Sequence, residues 1–410
     1  MARSEKVYGF WVEYADAKSK KKGIELIKRL GGKVKEDFKH LNYLYAIFSK
    51  NGFMEEEGIL RTLRKSKLFK KIRKDENLFF FGLNEKSLGE DYICPEDYLH
   101  LTEVEKLRKE GITGKGVKVG VIDSGVDVTR FGNRVKAITK DITDRVGHGT
   151  AVVDIINNIA PESEIYVGKV TTSRYVDVRK AILLMEEMRK KRVDIVNISF
   201  GGIEEDDGSH PLAKEAEYLA KKGIIVVCAI GNDASGVVSY PSSAKGVISV
   251  GSVNKEDKVS YFSNYGITSD GRVKPEVLSY GENICVSKCR GVKMGTIFDK
   301  NYVLVSGTSF ACPMISGISA LLKGKYKDTE KVKEAIFKTA DKKKVEVAYL
   351  FDNLFSKVMR AIGINILYLG LLDENIERWG KYGIVRAYKA LKYLERKGLN
   401  SVPFRLLGRW

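Results

Sequence analysis

The sequence predicts an α/β fold in which a mostly parallel, doubly wound sheet carries helices on both faces, with a small α+β unit in front of it. Short runs of apolar, β-branched residues recur through the middle of the 410-residue chain, at 117–122, 164–170, 193–199, 223–229 and 247–253. Segments with helical apolar spacing, such as 178–191 and 212–222, lie between several of these runs. Strands that alternate with helices are typical of parallel sheets joined by right-handed crossovers.

The N-terminal residues have a different pattern, with two short helices between strands of alternating polarity. The strand-like segments are 6–14, 41–49 and one that starts at 69–73, and the helical segments are 18–30 and 58–67. A β-α-β-β-α-β order indicates a ferredoxin-like unit. We therefore divide the chain into an N-terminal domain (1–78), a linker (79–100) and a large α/β domain (101–410) with an insertion at 341–372.

Three short motifs carry candidate catalytic groups, and they occur in the order Asp, His, Ser. They are Val119-Gly-Val-Ile-Asp123-Ser-Gly-Val-Asp127, Gly147-His148-Gly-Thr150 and Gly307-Thr-Ser309-Phe-Ala-Cys-Pro313. A carboxylate, an imidazole and a hydroxyl are the minimum set for attack on a carbonyl by serine, and this is one of the known linear orders of that triad. Taken singly, each residue is more often structural, so the prediction depends on their joint occurrence.

The local sequence places each group at the end of an element. Asp123 follows a buried strand, and open α/β sheets bind ligands at the carboxyl ends of their strands. His148 precedes an apolar stretch of helical period and is therefore expected at a helix N-terminus. Ser309 precedes a long apolar helix with Pro313 in its first turn. Helix N-termini favour negative charge, which assists a serine oxygen during attack.

These motifs resemble those of the subtilisin-like serine proteases, the subtilases, over roughly residues 101–396. The resemblance implies that Ser309 is the nucleophile, that His148 takes and returns its proton, and that Asp123 orients the imidazole. It also implies that the Asn232 amide and the Ser309 backbone N–H form the oxyanion hole. Two segments resemble the substrate-binding strands of the family, and the residues concerned are Ser199, Phe200, Gly201, Gly202, Ala229, Ile230 and Gly231.

A ferredoxin-like unit directly before such a domain resembles the family's propeptide, which assists folding and inhibits the enzyme. The other interpretation is a permanent accessory domain, because many unrelated functions use this kind of unit. Under the propeptide interpretation, the strand-like segment after Phe79 enters the active-site cleft, and the chain is cut between Phe80 and Cys94, where the composition is that of an accessible linker. The resemblance thus implies a self-inhibited, self-processing precursor.

Two departures from the family pattern concern metal and substrate binding. The sequence after His148 runs directly into a helix, without room for the loop that binds calcium in familiar subtilisins. We therefore predict no metal ligand and no cofactor, although calcium binding elsewhere is an open alternative. The acidic run 204–207 is interpreted as solvated charge rather than as a ligand set. The segment 169–174 is shorter than the family's edge strand, and capture of substrate by strand addition is still the expected mode.

The composition indicates a highly charged surface. The chain has 71 Lys plus Arg against 53 Asp plus Glu, which gives a net charge of +18. Such basicity can serve nucleic acid or anionic membranes, but the lysines are spread along the chain beside glutamates, and no nucleic-acid motif accompanies them. We interpret them as a solvated Lys/Glu-rich surface, which is compatible with a heat-adapted organism, and we predict no nucleic-acid partner.

The sequence also predicts a cytoplasmic location. The first residues lack the apolar core of a signal peptide. The most apolar stretch, 361–372, has about half the length needed to cross a bilayer, so it is interpreted as a core helix rather than an interfacial contact. The five cysteines require no disulfide scaffold. Cys285 and Cys289 are a candidate pair, and Cys312 is expected to be a packed side chain.

Together these observations predict a serine endopeptidase made as an inhibited precursor. Its partners are expected to be polypeptide substrates and its own N-terminal domain, with no membrane span and no prediction of oligomeric state. The alternative is a catalytically silent peptide-binding protein of the same fold with a permanently docked N-terminal domain, against which the intact Asp123, His148, Asn232 and Ser309 argue. An enzyme that uses His148 as its base should become more active between about pH 5 and pH 8, because a protonated imidazole cannot accept a proton.

Overall fold

The computed structural model describes residues 7–49, 54–80, 91–173, 175–342 and 383–397. The chain divides into two compact units, Met1–Asn77 and Leu78–Trp410. Three features named from the sequence lie outside the described residues, namely residues 81–90 of the linker, most of the insertion (343–372) and, within it, the apolar stretch 361–372. Within the described residues, no helix is both long enough and apolar enough to cross a bilayer.

The first unit is a four-stranded antiparallel sheet with two helices. Its elements are β1 (Val7–Tyr14), α1 (Ala17–Arg29), β2 (Lys33–Phe38), β3 (Tyr43–Ser49), α2 (Glu56–Lys65) and β4 (Phe69–Lys74), in the strand order β2-β3-β1-β4. This is the predicted ferredoxin-like topology. Phe10 and Val12 of β1 and Leu44 of β3 share a buried cluster with Ile27 and Leu63 of the helices, so one face of the sheet packs on both helices.

The second unit contains the rest of the described elements. Its helices are α3 (Pro95–Leu101), α4 (Val104–Lys109), α5 (His148–Ile159), α6 (Val178–Lys190), α7 (Pro211–Lys221), α8 (Thr308–Lys325), α9 (Thr329–Thr339) and α10 (Ala387–Arg396). Its strands are β5 (Asn77–Phe80, which starts at the last residue of the first unit), β6 (Lys118–Asp123), β7 (Val135–Ala137), β8 (Glu164–Lys169), β9 (Tyr175–Asp177), β10 (Ile195–Ile198), β11 (Phe200–Gly201), β12 (Ile225–Ala229), β13 (Ile248–Val253), β14 (Gly266–Ile267), β15 (Val273–Lys274), β16 (Val277–Tyr280), β17 (Ile284–Ser287), β18 (Thr296–Ile297) and β19 (Tyr302–Val305).

A seven-stranded parallel sheet forms the centre of this unit, in the order β16-β13-β12-β10-β6-β8-β7. The helices α5 and α8 pack together, and their apolar side chains share one buried cluster with Val119 and Val121 of β6. Gly120, between these valines, faces Met188 of α6, since an added Cβ would lie 2.8 Å from the methionine sulfur. Because adjacent strand residues point to opposite faces, α6 covers the other face. The predicted α/β sheet with helices on both faces is confirmed.

Three smaller sheets complete the described part of this unit, in the orders β11-β5-β9, β14-β15 and β17-β19-β18. The carboxyl ends of β6, β10 and β12 lie at one edge of the central sheet, because these neighbouring strands are parallel. Asp123 ends β6, Ser199 follows β10, and Asn232 lies just beyond β12. The parallel topology therefore brings candidate residues from separate segments to the edge where such sheets bind ligands.

Candidate active site

Asp123 is the last residue of β6 and is fully buried at the carboxyl end of the central sheet. Its Oδ1 accepts hydrogen bonds from His148 Nδ1 at 2.8 Å and from the backbone N–H of Ser124 at 2.7 Å. The first bond holds the imidazole with Nδ1 toward the carboxylate. In the neutral ring, Nε2 is then the nitrogen that can accept a proton.

His148 is the first residue of α5, the helix start expected from the apolar stretch that follows it. Gly147 has a φ of 92°, in the left-handed region that favours glycine, and this conformation turns the chain into the helix. Gly149 lies so close to the loop after β6 that an added Cβ would be 2.1 Å from the Gly125 carbonyl oxygen. Both glycines are therefore needed for the imidazole to reach the Asp123 carboxylate.

A second buried carboxylate, that of Asp144, holds the loop in front of α5. Its Oδ1 accepts hydrogen bonds from Ser124 Oγ at 2.9 Å and from the Gly147 N–H at 2.8 Å. Its Oδ2 accepts from the backbone N–H and the Oγ1 of Thr150, at 2.9 and 2.7 Å. Asp144 thus ties the end of β6 to the first turn of α5. We did not predict this role, although an Asp shortly before a helix start is a capping signal in the sequence.

Ser309 is the second residue of α8 and is fully buried. Its Oγ donates to the Ser199 carbonyl at 2.8 Å, and the Ser199 Oγ donates to the Ser309 carbonyl at 3.0 Å. The structure therefore joins Asp123 to His148 by a hydrogen bond but does not join His148 to Ser309. Among the described residues, the buried Nε2 of His148 has no hydrogen-bond partner. The imidazole lies against the first turn of α8, with its ring centre 5.5 Å from that of Phe310.

Asn232 lies beyond β12 and contacts the start of α8. Its Oδ1 accepts hydrogen bonds from the backbone N–H and the Oγ1 of Thr308, both at 2.9 Å. These bonds fix the amide group with its oxygen toward Thr308, so the NH₂ end points away from that residue. Of the other residues predicted on this segment, Ala229 and Ile230 are fully buried, and the Gly231 N–H donates to Thr308 Oγ1 at 3.2 Å.

The predicted substrate-binding strand β11 is paired with a segment of the chain itself. Phe200 pairs with Phe80 and Gly201 with Phe79 in antiparallel register, and β9 lies on the other side of β5. The Phe80 ring centre is 4.4 Å from that of His148 and 6.0 Å from that of Phe200. The strand β5 therefore ends with an aromatic ring directly against the imidazole.

The two strands beside β5 are short. After β11 the chain turns away, where Gly202 donates its N–H to the Tyr240 carbonyl at 3.0 Å. The edge strand that was expected near 169–174 lies just after that segment, at Tyr175–Asp177. The gap between β9 and β11 is wide enough for one extended strand, which is the arrangement required for strand addition.

The acidic run 204–207 is only partly solvated. Three of its members are exposed, as expected, but Asp206 is buried. Its carboxylate accepts hydrogen bonds from the His210 N–H at 3.0 Å and from Ser243 Oγ at 2.6 Å. The expectation of solvated charge is wrong for Asp206, because fixed protein donors replace water at this carboxylate. Within the described ranges of the chain, no group of three or more His, Cys, Asp or Glu side chains could hold a metal ion.

Comparison with known proteins identifies the family. The sequence model described as the Subtilase family matches residues 114–356, so the chain belongs to the subtilase family. It is 30% identical over 319 residues to the membrane-bound transcription factor site-1 protease of Rattus norvegicus, over 72% of this chain and 27% of that protein. It is 28% identical over 332 residues to subtilisin NAT of Bacillus subtilis subsp. natto, over 76% of this chain and 78% of that protein.

The solved structures show the same fold. The crystal structure of a lanthipeptide protease matches with a TM-score of 0.57 and 24% sequence identity, over 73% of this chain and 95% of that one. The chain spans 27% of the length of the site-1 proteases that it matches. The likeness to those larger relatives therefore concerns one region of each of them.

Proposed function

We propose that this chain is a serine endopeptidase that hydrolyses peptide bonds through a triad of Asp123, His148 and Ser309. The observation that carries the proposal is the buried Asp123–His148 hydrogen bond, with the opposite ring nitrogen lacking a partner among the described residues, in a chain of the subtilase family. A carboxylate that holds the imidazole through Nδ1 leaves Nε2 to act as the base. Relatives named as proteases support the same activity.

In the proposed reaction, the Ser309 hydroxyl rotates from the Ser199 carbonyl toward His148 Nε2 and gives up its proton as Oγ attacks the substrate carbonyl carbon. The Asn232 amide and the Ser309 backbone N–H donate hydrogen bonds to the resulting oxyanion. The imidazolium, stabilised by Asp123, then protonates the leaving amine, and the C–N bond breaks to give an acyl-enzyme. Water that has lost a proton to the same imidazole releases the carboxylic acid and restores the serine hydroxyl.

We also propose that the chain is a self-inhibited precursor whose N-terminal domain (1–78) acts as the inhibitor. The support lies within the second unit, where Leu78–Phe80 form the middle strand between β11 and β9, and the Phe80 ring lies against the His148 imidazole. A substrate captured by strand addition needs the same hydrogen-bonding edges, so substrate and β5 exclude each other. Cleavage between Phe80 and Cys94 would convert β5 into a dissociable end.

A fluorophosphonate probe, which reacts with activated serine hydroxyls, tests the activity. After limited proteolysis of the linker, we expect labelling of the wild type and none of Ser309→Ala. Ser306→Ala is the matched control, because Ser306 precedes α8 and accepts a hydrogen bond from the Asn283 N–H at 2.9 Å, and its labelling should equal that of the wild type. An unlabelled wild type would favour the silent peptide-binding protein.

Mass spectrometry tests the precursor. Purified wild-type chain should contain a fragment that begins between residues 80 and 94, because Ser309 would cut the segment that follows β5. The Ser309→Ala variant, prepared in the same way, should be full length. Full-length masses for both proteins would rule out self-cleavage, but they would not contradict the proposed activity on other substrates.

A further inference from the structure

Two cysteines that are far apart in the sequence lie side by side in the second unit. Cys94 precedes α3, and Cys285 lies in β17. The residues just before them, Ile93 and Ile284, form a parallel bridge. The Ile93 N–H donates to the Asn283 carbonyl and the Cys285 N–H donates to the Ile93 carbonyl, both at 2.9 Å. The backbone thus sets the register of the two cysteines.

This register suits a disulfide. In a parallel pair, the residues that follow a bridge point to the same side and have Cα atoms about 5 Å apart. Disulfides form across Cα separations of about 4.4–6.8 Å. Each thiol also affects the pKa of the other, as expected for neighbouring side chains. The register set by the bridge therefore places the two cysteines on one side of the strand pair, within the range in which disulfides form.

The remaining cysteines lie in other surroundings. The Cys289 thiol, which the sequence suggested as a partner of Cys285, donates instead to the Asp144 carbonyl at 3.8 Å. Cys312 is fully buried and its thiol lies 3.2 Å from Asn197 Oδ1, which agrees with the packed side chain expected from the sequence. Cys228 is also fully buried. All five cysteines are free thiols in this structure.

We propose that Cys94 and Cys285 form an intramolecular disulfide when the protein meets a disulfide oxidant. The two thiols lose two protons and two electrons as the S–S bond forms, and the oxidant's disulfide is reduced to two thiols. The bond fastens the segment in front of α3 to β17. In a chain cut between Phe80 and Cys94, it would hold the new N-terminal end of the α/β domain in place. Its formation does not rest on the proposed function.

The test uses the full chain with Ser309→Ala, so that no cleavage complicates the result. The protein is equilibrated with mixtures of oxidised and reduced dithiothreitol, denatured, alkylated and mapped by mass spectrometry. Burial raises the pKa of both thiols, so exchange is slow and equilibration should run for hours. We expect two of the five cysteines to resist alkylation in the oxidising mixture, with the Cys94 and Cys285 peptides linked. Five alkylated cysteines, or a different linked pair, would overturn the proposal.

Variants assign the bond and its effect. Cys94→Ser should abolish the protection, whereas Cys289→Ser, the matched control, should keep it. If Cys94→Ser fails to fold, the linked peptide from the Ser309→Ala chain, which keeps all five cysteines, is sufficient to assign the disulfide. An added protease should cut residues 91–101 at least about tenfold more slowly in the oxidised chain than in the reduced chain, because a tethered segment opens less often. Equal cutting rates would contradict the tether.

Discussion

At the scale of single residues, the Asp123–His148 pair depends on a third acidic side chain. Asp144 accepts five hydrogen bonds, from Ser124 Oγ, from the N–H groups of Val146 and Gly147, and from the N–H and Oγ1 of Thr150. Its negative charge also lies at the N-terminus of α5, where the helix dipole favours an anion. Asp144 therefore acts as a positioning residue that fixes the place of His148 at the start of α5.

Replacement of Asp144 tests this role. In Asp144→Asn an NH₂ group faces backbone N–H donors, so the loop must move. We expect kcat to fall about 10²-fold with little change in KM, because a displacement of about 1 Å is enough for a loss of that size. Asp127→Asn is the control, since Asp127 caps the neighbouring turn through Thr129, and it should stay within about twofold. Wild-type kcat in Asp144→Asn would show that this carboxylate does not position His148.

Asn232 gives a second residue-scale prediction. Asn232→Ala removes the proposed oxyanion donor, and kcat should fall by roughly 10²–10³-fold while substrate binding is retained. Thr308→Val, which removes one of the two donors that hold the Asn232 oxygen, should cause a smaller loss, and Thr308→Ser should resemble the wild type. Steady-state kinetics on a peptide substrate measure all three. A loss of less than about threefold in Asn232→Ala would exclude this amide from the oxyanion hole.

The sequence was informative about residues that lie in compact motifs. Asp123, His148 and Ser309 each lie within two residues of a glycine, at the end of a strand or the start of a helix, and the structure shows those local settings. Pro313, which was expected in the first turn of the helix, lies instead in the second turn of α8. The role of Thr308 was not predictable, because it comes from hydrogen bonds to Asn232, 76 positions earlier in the chain. Contacts of this kind depend on how the chain beyond β12 meets the start of α8, and they leave no pattern in either segment.

At the scale of elements, we expect β5 to limit the access of reagents to Ser309. Phe80→Ala deletes the ring that lies against His148. Burial of a Phe side chain contributes about 2 kcal/mol, so a fluorophosphonate should label the uncut fraction of the chain about 10–100-fold faster. Phe80→Tyr keeps the ring and should label at the wild-type rate. Identical rates in Phe80→Ala and the wild type would mean that β5 does not limit access to Ser309.

A buried carboxylate also links α5 to β17. Asp154 accepts hydrogen bonds from the N–H and the Oγ of Ser287, both at 2.9 Å. Burial nevertheless raises the pKa of Asp154 above its usual value, because the few donors do not replace the lost hydration of the charged form. The folded chain therefore binds this proton more tightly than the unfolded chain, whose Asp pKa is about 3.9.

The raised pKa of Asp154 makes the folded chain less stable as the pH rises. Protonation of Asp154 stabilises the folded chain fully below about pH 3.9. This stabilisation is lost as the pH rises through the raised pKa of Asp154. Asp154→Asn stays neutral, so its stability relative to the parent should increase from about pH 4 to pH 7, by about 1.4 kcal/mol per unit of pKa difference. Thermal unfolding at several pH values, with Ser309→Ala as the parent, measures this difference.

Asp141 provides a control, because its pKa is shifted in the opposite direction to that of Asp154. The Lys169 ammonium, 2.9 Å away, holds the pKa of Asp141 well below its usual range. Ionised Asp141 stabilises the folded chain above its unfolded-state pKa, and this stabilisation is lost as the pH falls. Asp141→Asn should therefore be less stable than the parent at neutral pH, and the two stabilities should become similar in acid. A flat difference for Asp154→Asn across the same range would contradict the raised pKa.

The elements themselves were largely predictable, for a physical reason. The inner strands of the central sheet are buried on both faces, so their sequences are continuous apolar runs. The strands β8, β10, β12 and β13 lie within the predicted runs, and β6 ends one residue beyond its run, at Asp123. The strand β2 was not identified, because Lys33–Phe38 lies at a sheet edge and most of its side chains are charged. The short edge strand β9 was displaced from its expected position, since its pairing depends on β5.

At the scale of the second unit, one guanidinium connects four segments. Arg386, at the start of α10, donates to Asp257 at 2.7 Å, to Asp341 at 3.2 Å and to the Leu101 carbonyl at 2.6 Å, and it also donates to the Tyr280 hydroxyl. It is 8% exposed. The last described helix is therefore held to α3, to the end of α9 and to β16 by a buried charge with several partners.

Loss of that charge should destabilise the second unit. Arg386→Met removes the buried cation that lies 2.7 Å from Asp257 and 3.2 Å from Asp341, and the expected loss is about 3–5 kcal/mol of unfolding free energy. Lys389→Met is the control, because Lys389 is half-exposed and pairs with Asp341 at the surface, where such pairs contribute less than about 1 kcal/mol. Urea unfolding in the Ser309→Ala parent measures both. Equal losses in the two variants would show that burial does not strengthen the Arg386 network.

The sequence predicted the fold of each unit but not the partners that its segments meet. The sequence offers Cys285 and Cys289 as a candidate pair, whereas the structure places Cys94 beside Cys285 through the bridge between Ile93 and Ile284. The position of the Phe80 ring could be expected only in outline from the resemblance. Pairings of this kind are decided by register between distant strands, which no single segment encodes.

The contact between Gly149 and the Gly125 carbonyl has an evolutionary consequence. Because the helix and the loop meet there without room for a methyl group, any larger residue at position 149 would displace His148 from Asp123. We therefore expect descendants of this chain to keep glycine at position 149 wherever they keep the Asp123–His148 hydrogen bond.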